Sequence, residues 1–537
     1  MIRCVVLILA LLLPVNAELV LDQLNIRLFL KHESSIQHEL EQMLWRLSDP
    51  HHVDFGQYLT FEELVDSLNA TENSNVVEHW IQKHETTWQN QKAWRKPSTK
   101  MQWRTSMTKD DIIITQAEAS LLTQMFGEKM IPSTQVFQFQ KCPIQIPADL
   151  QEVVEYIYFG ALCSYPFHRH RRREEIITSS SPVTIDPPRL YHLYDINHRV
   201  SSSSQSVAEF EQAYFYRSDL NTFANRYHLP PTKVEIVGPN HPDDGGYLGE
   251  ASLDTQYASA MAPLGNLWVF SNGIFDLSWW VETILNQTTQ TAPRVHSISW
   301  GSPEDDFDEK LLRRWNFEFL KLALLGHSVI VASGDHGADN SGWFHCRKFR
   351  VQFPASSPYV TAVGGTALLD YDNHKNETAW EYSGGGFSRY FDRPPYQKKA
   401  VSEYLNAAKN KLPPSQYYNL RGRAVPDVSA VSTQYQVLMQ GFWANVSGTS
   451  AAAPLWAGMM ANSRTRGFLN PWLYSLPSIG RDIMTGYNVG GRACAKGFPA
   501  TVGYDAVTGL GVPNQTLLIL WEASHRRFHG STKVRVD

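Results

Sequence analysis

Ser328-Val-Ile-Val-Ala332 runs directly into Ser333-Gly-Asp335-His-Gly337, and this stretch decides the fold. A short apolar run bounded by glycines reads as a strand buried on both faces, the habit of parallel sheets. Val295-His-Ser-Ile-Ser-Trp300 and Tyr359-Val-Thr-Ala-Val363 repeat the pattern, and a helical segment from Phe307 to Leu325 separates the first two strands. From about residue 186 onward the chain therefore predicts an α/β fold, a parallel sheet with helices on both faces. Such sheets carry their sites at the carboxyl ends of strands, where Asp335 stands.

Ser447-Gly-Thr-Ser450-Ala-Ala-Ala-Pro454 puts a hydroxyl after a glycine turn and before a small-residue helix. A side chain there feels the positive helix end and lies near unpaired N–H donors, which suits a nucleophile and a developing oxyanion. The plainer reading is an N-cap on an Ala-rich helix. Glu250-Ala-Ser-Leu-Asp254 follows Gly245-Gly246 and, as a helix, sets two carboxylates one turn apart on one face. In a shared, partly buried site they titrate as a pair, one as general base and one orienting it. In isolation the same pattern is more often a solvated acidic face. Asp335, if kept protonated, has the chemistry to donate to an oxyanion, although S-G-D-x-G is by itself commonly a turn. None of the 19 histidines stands in a motif of its own, so a histidine triad is the lesser mechanism and His336 reads as a loop side chain. Near the C-terminus, Asp482-Ile483 and Thr501-Val-Gly503-Tyr-Asp505 offer two carboxylates with closely spaced turn carbonyls, a donor set suited to calcium.

The chain is 537 residues long with 43% hydrophobic residues, which calls for two folded units. A net charge of −5 excludes an electrostatic case for nucleic acid. Residues 1–17 have the basic start, apolar centre and small-residue exit of a secretory signal, and no later stretch has the length and apolarity of a membrane span. Cys4 leaves with that signal. Cys142, Cys163, Cys346 and Cys494 remain as an even set for an oxidising compartment; three pairings stay open, and nearness along the chain favours Cys142 with Cys163. No cysteine or histidine spacing suits zinc. Sequons stand at Asn69, Asn286, Asn376, Asn445 and Asn514, and a glycan on Asn445 would crowd the nearby serine. Residues 18–165 alternate helical and strand-like stretches, including an amphipathic Ser35 to Leu47 and a capping box at Thr60-Phe-Glu-Glu63, and read as an α+β unit. Residues 166–185, with His168-Arg-His-Arg-Arg-Arg173 and Ser179-Ser-Ser-Pro182, read as an exposed processing linker before a domain spanning 186–537.

Together these motifs resemble the sedolisin family of serine-carboxyl peptidases. The likeness extends to Gly56-Gln-Tyr58-Leu-Thr60, Phe353-Pro-Ala-Ser-Ser-Pro-Tyr-Val-Thr361, Val363-Gly-Gly-Thr366, Gly384-Gly-Gly-Phe-Ser388 and Thr508-Gly-Leu-Gly511, so it covers nearly the whole chain after the signal. The resemblance implies Ser450 as nucleophile, Glu250 as base, Asp254 orienting Glu250 and Asp335 serving the oxyanion. It implies calcium on Asp482 and Asp505 with the carbonyls of Ile483, Thr501 and Gly503. The fold it implies is a subtilisin-like parallel sheet preceded by an inhibitory α+β propeptide. The implied activity is acid peptidase action on peptide or protein substrates, releasing tripeptides from free amino termini, in the lysosome or after secretion. An acid endopeptidase and a non-catalytic peptide-binding relative are the alternatives. This chain departs from the pattern at His336, where relatives have serine, and at Thr501, where relatives have a glycine carbonyl. Ser201 to Ser206 and the tail after Ala523 read as surface variations.

Overall fold

The computed structural model describes residues 20–21, 24–91, 100–132, 137–139, 144–160, 184–197, 204–244, 246, 248–287, 292–339, 348–369, 376–463, 467–490 and 496–528. The signal segment, the four remaining cysteines and linker residues 166–183 lie outside these. Packing separates two units: one of residues 1–37 and 65–167, the other of residues 38–64 and 168–537.

The first unit is built on an antiparallel sheet in which Asp111–Glu118 pairs with Ile26–Leu30, Gln102–Thr105 and Val20–Leu21, and Ile26–Leu30 pairs in turn with Val154–Tyr158. Helices Thr71–Gln91 and Ala119–Phe126 close one core, in which Val77, Trp80, Ile81 and Leu122 meet Ile26, Leu28, Ile112 and Ile157. Inside it, Arg27 pairs with Asp111 at 2.8 Å, so a buried cation has its partner.

The second unit carries an eight-stranded sheet. Its strands run Glu377–Ala379, Thr361–Leu368, Ser328–Ala332, Val295–Ile298, Ser204–Glu209, Asn266–Ser271 and Lys233–Val237, with Val428–Val431 also on Thr361–Leu368. Only the Glu377–Ala379 pairing is antiparallel. The Ser328–Ala332 strand falls where the sequence places it and is buried at every residue; the strand expected from Tyr359 begins at Thr361 and runs on to Leu368. The helix expected from Phe307 is Glu309–Leu324, capped by the Asp308 carboxylate, which accepts from the Lys310 N–H.

One sequence reading is overturned. Of the serine run taken as a surface variation, Ser204–Ser206 opens a strand in the middle of the sheet, between Val295–Ile298 and Asn266–Ser271. The strand stays buried because its polar side chains find partners: Gln205 donates to the Ala258 carbonyl at 2.6 Å, and Ser206 Oγ meets His296 Nδ1 at 2.7 Å. The residues just after Ala523 likewise continue a helix, Gln515–Phe528.

His38–Leu64, which chain order assigns to the first domain, packs with the second unit. Thr60 and Glu63 form the expected reciprocal cap, Thr60 N–H to Glu63 Oε2 at 2.8 Å and Glu63 N–H to Thr60 Oγ1 at 3.2 Å, starting helix Phe61–Leu68.

Candidate active site

Asp335 stands in the loop after the Ser328–Ala332 strand. Gly334 makes the turn with φ +110°, a region that favours glycine. Gly334 also accepts from Gly384 N–H at 2.7 Å, which ties the Gly384-Gly-Gly386 run to this loop. Asp335 Oδ1 then accepts from the Thr449 backbone N–H at 2.7 Å and the Thr449 hydroxyl at 2.8 Å. Those groups sit at the start of helix Thr449–Ala461, whose second residue is Ser450. The loop carboxylate thus caps the helix that carries the serine. A side chain at 448 would put its Cβ 2.9 Å from Asp335 Oδ2, so Gly448 leaves that oxygen room.

Pro454 has no N–H to give to the carbonyl four residues back, that of Ser450. Ser299, just past the end of strand Val295–Ile298, points its hydroxyl at that oxygen, 3.4 Å away. The proline and the serine share one position: the first removes the helix donor and the second stands in for it.

Glu250 and Asp254 lie on helix Gly249–Met261, as expected from their spacing, with 3% and 0% of their surfaces exposed. Glu250 is in the first turn, where the helix field favours a carboxylate. Every residue from Glu250 to Met261 is buried. The hairpin leading to Ser450 holds this helix: Gln256 exchanges two hydrogen bonds with the Leu438 backbone at 2.7 and 3.1 Å, and the Tyr257 hydroxyl donates to the Gln436 carbonyl at 2.8 Å. The two helices pack closely, since a Cβ on Gly458 would meet Met261 Cβ at 2.4 Å. The Ser450 helix thus packs against the Glu250 helix and meets the Asp335 loop at its start. His336 is a loop residue, as read from sequence. Thr449, inside the motif quoted from sequence, is the residue whose part was missed; its place before Ser450 was the available signal.

Asp482 and the Thr501–Asp505 turn also converge. Asp482 Oδ2 accepts from Gly503 N–H at 2.7 Å, and Asp505 Oδ2 accepts from Thr501 N–H at 3.0 Å. Burial pushes Asp505 up to about 7 and also raises Asp482. Asp482 Oδ1 and Thr501 Oγ1 are buried without a hydrogen-bond partner among the described residues. Carboxylates raised by burial, beside unpaired oxygens, fit a hard divalent cation. Of the sequons, Asn69, Asn286, Asn376 and Asn445 are exposed.

Comparison with known proteins divides the chain in the same order. A profile of the pro-kumamolisin activation domain matches residues 20–160, and one of the subtilase family matches residues 262–475. Tripeptidyl-peptidase 1 of Mus musculus is 32% identical over 523 residues, covering 89% of this chain and 88% of that protein. The Homo sapiens protein of that name is 31% identical over 522 residues, with 89% and 88% covered, and that of Dictyostelium discoideum is 29% identical over 541 residues, with 89% and 85% covered. The solved structure of Pseudomonas sedolisin, a serine-carboxyl proteinase complexed with two molecules of pseudo-iodotyrostatin, superposes with a TM-score of 0.53 at 23% identity, covering 64% of this chain and 98% of that one.

Proposed function

The chain belongs to the tripeptidyl-peptidase 1 family of serine peptidases, and on that premise we propose that it is a proenzyme that releases tripeptides from free amino termini at acid pH. In this reading Glu250 takes the Ser450 hydroxyl proton as Oγ attacks the scissile carbonyl, and Asp254 orients Glu250. The C–N bond breaks, Glu250 returns the proton to the leaving amine, and an acyl group stays on Ser450. Water, deprotonated by Glu250, then attacks that ester; the acyl C–O bond breaks, the acid leaves, and Glu250 returns the proton to Ser450 Oγ.

Asp335 acts at the oxyanion. The observation that carries the reading is its hydrogen bonding: Oδ1 takes two donors from Thr449, which fixes the carboxyl at the start of the Ser450 helix and leaves Oδ2 beside Gly448. Carboxylates in place of histidine suit acid conditions, since their ordinary range lies near pH 4. Calcium would be held by Asp482 and Asp505 with carbonyls of Ile483, Thr501 and Gly503, where it would rigidify the C-terminal turns. The activation domain is read as an intramolecular inhibitor lost with the linker, in a lysosomal or secreted setting.

Glu250→Gln tests the assignment. It keeps shape and removes the base, so kcat should fall by roughly 10²–10⁴-fold with folding intact. A rate near that of the unaltered enzyme would remove Glu250 from the mechanism.

A further inference from the structure

Away from the active site, His296 and His327 lie stacked, ring centroids 5.1 Å apart, both buried. Their nitrogens form a chain. Arg294 Nη1 lies 3.0 Å from His327 Nε2, His327 Nδ1 lies 2.8 Å from His296 Nε2, and His296 Nδ1 lies 2.7 Å from Ser206 Oγ. A guanidinium can only donate, and this fixes the direction: on each ring Nε2 accepts and Nδ1 donates. Both rings are therefore neutral. A proton added to either ring would set two donors face to face at these distances. Burial, with Arg294 adding to it, holds His296 down at about 3 and His327 well below its ordinary value. Arg294 is the charged side chain that meets the pair directly, at His327 Nε2. The helix Leu277–Leu285 presents the Trp280 ring, set edge-to-face with His296 at a centroid distance of 5.5 Å, and the central strand presents the Ser206 hydroxyl.

His327 belongs to the turn that grips the activation segment within the second unit. Leu59 N–H donates to the Leu324 carbonyl at 2.9 Å. The Tyr58 ring rests on Gly326 and Gly467, which have φ +77° and +94°; a Cβ there would meet the ring at 2.9 and 2.1 Å. The Tyr58 hydroxyl meets the Phe468 backbone, and burial raises its titration above the ordinary value. Two bonds brace the grip from behind: Arg294 Nη1 donates to the Leu325 carbonyl at 3.0 Å, and Ser328 Oγ to the Gly467 carbonyl at 2.5 Å. Arg294 thus holds His327 and the turn at once.

We propose that His296 and His327 form an acid-released latch: protonating the pair breaks the Arg294–His327–His296 chain, unseats the Leu324–Ser328 turn, and frees Tyr58 and Leu59 of the activation segment. This rests on the reading of the chain as a proenzyme matured in acid. The sign follows from linkage. Both histidines titrate lower in this packed form than their ordinary 6.5; with release of the turn returning them to water, docking is full above that pH and weakens as pH falls below it. At pH 4.5 one histidine regaining its ordinary value weakens docking by up to about 100-fold.

The test is hydrogen exchange of residues 38–64 in the full chain carrying Ser450→Ala, corrected for the intrinsic effect of pH. Protection should fall by about 10- to 100-fold between pH 7 and pH 4.5. With His296→Asn and His327→Asn added together, each keeping a donor in place of Nδ1 but unable to titrate, the fall should shrink to under about threefold. Each single variant keeps one titrating ring and should show a smaller fall than the parent, so a misfolded double variant leaves the single ones to decide. An equal fall in the histidine variants, or no fall in the parent, overturns the latch. No turnover is measured, so the result is independent of whether the peptidase assignment holds.

Discussion

Glu304 shows how a single buried carboxyl tunes the molecule for acid. Its Oε1 accepts from the Ser388 hydroxyl at 2.5 Å and its Oε2 from the Arg389 N–H at 3.0 Å, joining the loop after Val295–Ile298 to strand Gly386–Asp392. Burial outweighs these bonds and pushes it from 4.5 up to about 7. A carboxyl raised on folding stabilises fully below its unfolded value, and that stabilisation is lost as pH rises through the folded one. The shift corresponds to about 3 kcal/mol between pH 4.5 and pH 8. Denaturant titrations of Ser450→Ala with and without Glu304→Gln should therefore run together at low pH, where both side chains are neutral, and separate as pH rises and only the carboxyl ionises; parallel curves would contradict the assignment. The histidine pair pulls the other way, since its neutral docked form is favoured above 6.5. Acid thus strengthens one joint of the catalytic unit and loosens the grip on its activation segment.

Among elements, the contact between the Glu250 helix and the Ser450 helix would set the geometry of the proposed chemistry, because both proposed catalytic side chains ride on it. Gly458 allows the approach, with Met261 Cβ 2.4 Å and the Ala258 carbonyl 3.0 Å from where its Cβ would lie. Gly458→Val should cost about 1–3 kcal/mol by overpacking, despite better helix propensity. It should also lower kcat, since a shift of about 1 Å between reacting groups costs on the order of 10²-fold. Unchanged melting and kinetics would show that the helices do not need this approach. The sequence made elements legible wherever local chemistry is decisive: the Thr60–Glu63 cap, the Ser328–Ala332 strand and the one-turn spacing of Glu250 and Asp254 all stand where they were read. It failed at Ser204–Ser206, where pattern reading looks for apolar residues. That strand is held by ladder bonds and by buried partners on Ala258 and His296, which come from distant parts of the chain.

At the scale of the whole molecule, the packing of His38–Leu64 with the second unit was beyond sequence reading for the same reason. Tyr58 looks like an ordinary loop aromatic until Gly326 and Gly467 are seen to cradle it, and Trp45 meets Tyr359, Tyr396 and Phe468 at ring distances of 5.9 to 6.2 Å. The C-terminal turns carry the other global expectation. If calcium sits on Asp482 and Asp505, chelation should lower Tm by linkage, about 2.7 kcal/mol when the ion is at 100 times its Kd, and Asp482→Asn should remove that sensitivity. A melting curve unmoved by chelator would exclude the metal there. The central claim is a serine peptidase that works through carboxylates in acid on free amino termini. It is tested most directly by bringing the purified full chain to about pH 4 and offering a tripeptide reporter with a free amino terminus beside its amino-blocked twin. Cleavage of the free form alone, absent in Ser450→Ala, is the predicted result; cleavage of both forms would make the enzyme an endopeptidase, and cleavage of neither would contradict the account.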